Sequence, residues 1–551
     1  MNRLLAAAAL LAACAGSPAV PANPAQQGAA PAGTKPPAVA AAAAPAGLPD
    51  AGLAPEAAKE AAKAGPATPP ATETAQSSPN AVPEPPLMPD APFRASQPPP
   101  LSQQSRFSPP VPVQRKLKNG ARVLIVENHS VPLVAVDVRL LHGVDADPKD
   151  KPGLAEFTAD MVDEGTKTRP AEKLAEEIED LAAHLGSGAG LETATVHLNC
   201  LTETLPKALD LLADVVQNPA FRPEDVERVR VLKLTALEQK KANPGALAAD
   251  EAAKILYGPG HPWGQPAGGT PESVGSIGPS DLAAFHAKWW VPNAAVISVA
   301  GDVQPAEIVR LLDEKLASWK PRPLPRLSLP AFPRIRRREI VALEKPGTTQ
   351  AQVWVIGRLF KATSPEAIPL RVANMTLGGL FTSRLNMNLR EKHGYSYGVF
   401  SSLSLMRASG TFAARGGIVA KNTVEAVEEY ERELQGFSNG QVSETELAAA
   451  KEALVRGLPT ALETNDAVSG AMGNLVALGL PLDYYRNFAA RVGKVSQAEV
   501  KKVVTEWITP ERWPVLIVGP VAQSKEALEK LNLGPVTVTP AVPAAKPAAA
   551  R

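Results

Sequence analysis

Two carboxylates, Glu156 and Asp160, stand one helical turn apart in the run Gly153-Leu154-Ala155-Glu156-Phe157-Thr158-Ala159-Asp160. Residues four apart on a helix share a face, and oxygen donors so placed can share a hard cation such as Ca²⁺ or Mg²⁺. The plainer reading, preferred here, is a solvated acidic face near a helix start, where the macrodipole favours negative charge. Protein zinc sites are built mainly on imidazole or thiolate donors, with a carboxylate at most completing the set. The seven histidines, at 129, 142, 184, 197, 261, 286 and 393, include no two within a helical turn, so no helical zinc motif exists in the chain. His197 falls on an expected strand and reads as a core or interface residue, and His261, before Pro262, reads as a loop residue. Cys14 lies in a targeting segment and Cys200 in an alternating apolar run, so no disulfide is expected.

The elements that must position these residues begin late in the chain. Of 56 prolines, 23 lie in residues 15–110, a stretch dense in Ala with only Phe93 and Phe107 as aromatics. Such a segment buries too little apolar surface to offset the entropy of ordering its backbone, and is expected to be a disordered tether. Before it, residues 1–14 read as a signal peptide, with Arg3, an apolar core and small residues. Its end, Leu11-Ala12-Ala13-Cys14, resembles a bacterial lipobox, which implies lipidation at Cys14 and a periplasmic location. Ala15 and Gly16 follow where an Asp would favour inner-membrane retention, so the outer membrane is the expected anchor site. No later window is apolar enough to span a bilayer, and the lipid is the only membrane contact expected. The net charge of +1, from 57 basic and 56 acidic residues, excludes a basic footprint for nucleic acid.

From residue 111 the chain repeats itself. Asn119-Gly120 is a turn before the β-rich run to Val126, and Val134–Leu141 alternates as a half-buried strand would. Helical patterns follow at 152–164, 170–185 and 203–216, with a strand over Ala194–Leu201 between the last two. The closing phrase Trp290-Val291-Pro292-Asn293 leads into Val296–Gly301, and it returns as Trp507-Ile508-Thr509-Pro510 leading into Val515–Gly519. Trp290 to Trp507 is 217 positions and Gly301 to Gly519 is 218, so one domain occurs twice. The expected organisation is a first domain over 111–319, a Pro- and Arg-rich linker at 320–338, a second domain over 339–535 and a disordered tail at 536–551. The class is α+β, each half a mainly antiparallel sheet covered by helices.

With Asn218-Pro219-Ala220-Phe221, His261-Pro262-Trp263-Gly264, Gly301-Asp302 and Gly378-Gly379-Leu380-Phe381-Thr382-Ser383-Arg384-Leu385 in this order, the chain resembles the insulinase/pitrilysin family of zinc peptidases, in the form related to the mitochondrial processing peptidase. The resemblance implies a half-clamshell of two homologous domains. The family's zinc motif is H-x-x-E-H on a helix, with a further Glu about 75 residues on. Here Glu156 and Asp160 stand at the His positions and Ala159 replaces the general base, so the motif is degenerate. The distal ligand position falls near Ala236, with Glu238 a near miss on another side of the helix.

The second half keeps the phrase Arg390-Glu391-Lys392-His393-Gly394-Tyr395-Ser396-Tyr397. The resemblance assigns Arg390 and Tyr397 to substrate binding and oxyanion stabilisation, with Tyr395 only a neighbour. A guanidinium and a phenol suit that task, and the bland alternative is an Arg and a Tyr that merely pack. The expectation is therefore a subunit without zinc or catalysis of its own. It would supply Arg390 and Tyr397 to a partner with an intact H-x-x-E-H motif and bound zinc, in a heterodimeric periplasmic endopeptidase acting on peptides or unfolded segments. The alternative is a non-enzymatic structural or binding protein of the cell envelope. A self-sufficient hydrolase built on Glu156 and Asp160 ranks last, because Ala159 leaves no base.

Overall fold

A computed structural model describes residues 107–333, 335 and 338–542, and residues 109–542 fall in one compact unit. The signal peptide, Cys14 and most of the tether lie outside the described residues. The helices that bear on the site are labelled α1 to α6 in chain order.

The first half is a six-stranded sheet in the order β1-β2-β6-β3-β5-β4. Its strands are β1 (Val113–Lys116), β2 (Arg122–Glu127), β3 (Leu133–Leu140), β4 (His184–Ala189), β5 (Ala194–Leu201) and β6 (Ala295–Gly301). The second sheet runs β12-β7-β11-β8-β10-β9. It comprises β7 (Ile340–Glu344), β8 (Gln350–Leu359), β9 (Ser396–Leu405), β10 (Gly410–Val419), β11 (Val515–Gly519) and β12 (Val536–Pro540). Five strands correspond in the same order, β2 to β7, β6 to β11, β3 to β8, β5 to β10 and β4 to β9. Only the sixth differs: β1 pairs antiparallel with β2, whereas β12 pairs parallel with β7. Antiparallel pairs predominate in both sheets, as the α+β expectation requires.

Helices α1 (Leu154–Val162), α2 (Ala171–Asp180) and α3 (Leu205–Gln217) cover the first sheet, and α4 (Pro223–Lys240) lies over α1. The two halves also exchange a helix. The first half's α5 (Pro244–Tyr257) seats Ala248, Ala252, Leu256 and Tyr257 on β8 and β11, while the second half's α6 (Asn465–Leu478) lies across β3 and β6. Small side chains bring each helix close to the sheet. A Cβ at Gly473 would stand 2.7 Å from the Asp137 carboxylate.

That exchange explains why β3 is not the half-buried strand its alternation suggests. Asp137 and Arg139 are buried beneath α6, and Arg139 Nε donates to Asp137 Oδ1 at 3.2 Å. Four other expectations change. The helix expected to 185 ends at Asp180, Ala182 turns with φ of 48°, and Leu185 belongs to β4. The tail is ordered at its start, because β12 completes the second sheet through Val536–Pro540. The linker is packed: Leu324 and Leu327 lie on the first core, and Phe332 and Ile335 on the cluster under α5. At the tether's end, the Pro109 carbonyl accepts from Arg486 Nε.

Candidate functional site

Helix α1 starts where Gly153 takes φ of 89° and where a remote carboxylate serves as cap, Asp147 accepting from the amides of Gly153 at 2.8 Å and Ala155 at 2.7 Å. Free amides at a helix start need such acceptors. The cap fixes the face that presents Glu156 and Asp160. That face is not solvated. Glu156 is 5% exposed, and α4 sends Lys233, 6% exposed, between the two carboxylates. Lys233 Nζ donates to Glu156 Oε1 at 3.0 Å and to Asp160 Oδ2 at 2.6 Å. Burial opposes charge on Lys233, but the two carboxylates outweigh it and hold the ammonium above the usual lysine range. Burial pushes the Asp160 carboxyl up against the pull of Lys233.

An internal ammonium thus occupies the space between the positions that the H-x-x-E-H motif gives to zinc's imidazoles. Ala159 is fully buried, and its carbonyl accepts from Ser187 Oγ at 2.6 Å, so no base faces this pocket from the motif. The expected distal position, Ala236, is buried one turn beyond Lys233 on the same face of α4. Glu238 points elsewhere and pairs with Lys241 on the surface. The residues present do not fit zinc: Glu156 and Asp160 are both engaged by Lys233, the base is missing and the distal ligand is an Ala. Among the described residues no group of three or more His, Cys, Asp or Glu is placed to hold a metal ion.

Sequence reasoning missed Lys233, and one signal could have found it. The buried residues of α4 are Val226, Val229, Lys233 and Ala236, so a lysine sits within an apolar stripe of helical spacing. The histidines behave as expected or nearly so. His197 on β5 lies 5.3 Å from His184 with the two rings tilted, and burial lowers its pKa. His261 is in a loop, yet it is buried against Tyr257, Trp263 and Phe332. Cys200 is a free, buried thiol, pushed up to about 12 by burial.

Arg390 and Tyr397 lie at the far edge of the second sheet, where two π-helical turns, Met375–Gly379 and Met387–Lys392, flank the Phe381 loop. Such turns are rare and recur at functional sites. The Arg390 guanidinium stacks 4.4 Å over the Phe381 ring, and its Nε lies 3.3 Å from Glu391 Oε1. Buried Asn386 ties this loop to β9, donating to the Phe381 carbonyl at 2.7 Å and accepting from the Val399 amide at 3.2 Å. The β9–β10 register slips between Ile418 and Gly416, leaving Tyr397 and Gly398 opposite Gly417 alone. This bulge re-aims Tyr397, which is 87% exposed. Tyr395, by contrast, packs on the core and stacks 5.0 Å from His393. No hydrogen bond or ion pair among the described residues joins Arg390 or Tyr397 to the Glu156, Lys233 and Asp160 cluster.

Residues 122–258 match the family model described as insulinase, peptidase family M16, and residues 276–454 match the one described as the peptidase M16 inactive domain. An uncharacterized zinc protease of Mycobacterium leprae is 26% identical over 424 residues, covering 76% of this chain and 94% of the relative. A protein of Helicobacter pylori named a non-peptidase homolog is 26% identical over 390 residues, covering 70% of this chain and 89% of that one. The crystal structure of a peptidase M16 inactive domain from Pseudomonas fluorescens superposes with a TM-score of 0.70 at 26% identity, covering 74% of this chain and 98% of that one.

Proposed function

On the premise that the chain belongs to the insulinase/pitrilysin family, peptidase family M16, we propose that it is the zinc-less subunit of a heterodimeric metallo-endopeptidase. The observation that carries this reading is Lys233, whose ammonium fills the metal position between Glu156 and Asp160. The other half of the family's machinery is open to solvent instead. Tyr397 projects freely, and Arg390 is held over Phe381. There a guanidinium and a phenol can donate hydrogen bonds to the carbonyl oxygens of an extended peptide. The zinc and its H-x-x-E-H motif belong to the partner chain, which closes the other half of the shell. Lipidation of Cys14 sets the complex in the periplasm, on the outer membrane.

Metal analysis and peptidase assays on the isolated chain test this. We expect no stoichiometric zinc and no cleavage, and one tight zinc per chain with activity lost on chelation overturns it. Labelling with a fatty acid, lost in Cys14→Ala, checks the anchor. A second reading, a non-enzymatic envelope protein, draws on the non-peptidase name of the Helicobacter pylori relative. It predicts that substitutions at Arg390 and Tyr397 leave every activity unchanged.

A further inference from the structure

Ten large apolar side chains are exposed among the described residues, and four of them, Phe381, Met387, Tyr397 and Phe400, fall between positions 381 and 400. Beside them stands a cation, Arg415, that has no counter-ion among the described residues. The strand registers put Phe400 on β9 opposite Arg415 on β10, and Arg415 opposite Trp354 on β8, in one row across three strands. Residues paired in this way project to the same face of a sheet. On that face α5 covers β8 and β11, while Arg415 and Phe400 remain exposed. The Arg415 guanidinium lies 5.2 Å over the Trp354 ring and forms no ion pair with a described carboxylate. Arg384 and Arg432 of this half, by contrast, pair with Glu446 and Glu429. The Phe400 ring lies along Gly398, where a Cβ would come within 2.7 Å of it, and so leans toward the bulge that carries Tyr397.

We infer that the Trp354, Arg415 and Phe400 row is a side-chain subsite for an acidic residue of the bound peptide. The inference rests on the reading that Arg390 and Tyr397 hold a peptide at this edge. The cation–π contact with the indole already holds the guanidinium in place, so less rotamer freedom is lost when a carboxylate arrives. The exposed guanidinium keeps N–H donors for an incoming group, and its fork favours a planar, bidentate acceptor such as a carboxylate. Phe400 supplies apolar surface for the methylenes of the same side chain. The occupant is a Glu or Asp side chain on an extended segment, and a lysine at that position is repelled.

The test titrates the full chain with a labelled, unstructured peptide carrying one central Glu, and with the same peptide carrying Gln or Lys, read by fluorescence anisotropy. We expect the Glu peptide to bind about tenfold more tightly than the Gln peptide, the step that a hydrogen-bonded charge provides, and the Lys peptide to bind weakest. Arg415→Gln should bring the Glu-to-Gln ratio to one without changing the affinity for the Gln peptide, and Arg415→Lys should keep part of the preference. An unchanged thermal midpoint shows that each variant is folded. A ratio of one in the wild type, or a ratio that survives Arg415→Gln, overturns the subsite while leaving the peptide-holding reading intact. Failure of every peptide to bind overturns both.

Discussion

Replacing Lys233 with Met keeps the length of the side chain and removes its charge. In the wild type the ammonium makes contacts of 3.0 and 2.6 Å, with side-chain exposures of 5% for Lys233, 7% for Glu156 and 24% for Asp160. At an effective dielectric of about 20, a unit pair at about 3 Å attracts by about 5 kcal/mol before desolvation is counted. Removing one member of such a buried pair costs about 3–5 kcal/mol, because the other charge stays behind uncompensated. Glu156 carries most of that penalty, since one of its oxygens, Oε2, already has no partner in the wild type. For about 430 folded residues at about 2.1 cal/mol/K each, the loss lowers the calorimetric midpoint by about 3–6 °C. The deficit must also depend on pH. Burial raises the pKa of the Asp160 carboxyl even against the pull of Lys233, and without the ammonium nothing opposes that rise. Such a carboxyl takes up a proton on folding, so stability rises as pH falls, and the gap between variant and wild type narrows from about pH 7 toward pH 5. Adding Glu156→Gln and Asp160→Asn to the variant removes the stranded charge and recovers part of the midpoint. Scanning calorimetry at both pH values decides the matter. A midpoint in Lys233→Met equal to that of the wild type at pH 7 refutes the argument that the ammonium compensates these carboxylates.

Two further outcomes concern the frame around Arg390 and Tyr397. Asn386→Leu removes the acceptor of the Val399 amide and the donor to the Phe381 carbonyl, at about 1–3 kcal/mol for each buried group left unpaired. Hydrogen exchange should show the Val399 amide losing protection, and retained protection would mean that Asn386 does not hold this edge. Arg384 beside Glu446 holds that carboxyl at about 2, below its ordinary 4.5. Its contribution is therefore complete above about pH 4.5 and lost as pH falls through about 2. Glu446→Gln should flatten the acid limb of the stability profile in that window, and an acid limb identical to the wild type's would contradict it.

The duplicated plan was legible because its signals are local. The Asn119-Gly120 turn, the Trp290 and Trp507 phrases and the alternation of β5 each sit within a few residues. β4 was not legible, since His184-Leu185-Gly186-Ser187-Gly188-Ala189 contains no β-branched residue and continues the apolar spacing of the preceding helix. β12 became a strand because β7 offered an open edge, which no local feature of the last residues announces. The same holds for the site. The loss of the zinc motif reads directly from Glu156, Ala159 and Asp160, whereas its replacement does not. Lys233 is 77 residues from Glu156, and a lysine on a charged helix passes for a solvated one until α4 is laid on α1. The helix exchange that buries Asp137 and Arg139 is likewise a property of two halves together.

The most direct measurement is the turnover of an unstructured peptide by the complex reconstituted from this chain and a family member bearing H-x-x-E-H, compared for wild type, Arg390→Ala and Tyr397→Phe. The account predicts activity only when both chains are present, and a loss of about 10²-fold or more in turnover for each substitution, the scale of a missing transition-state donor. Equal turnover in all three complexes, or cleavage by this chain alone, would contradict it.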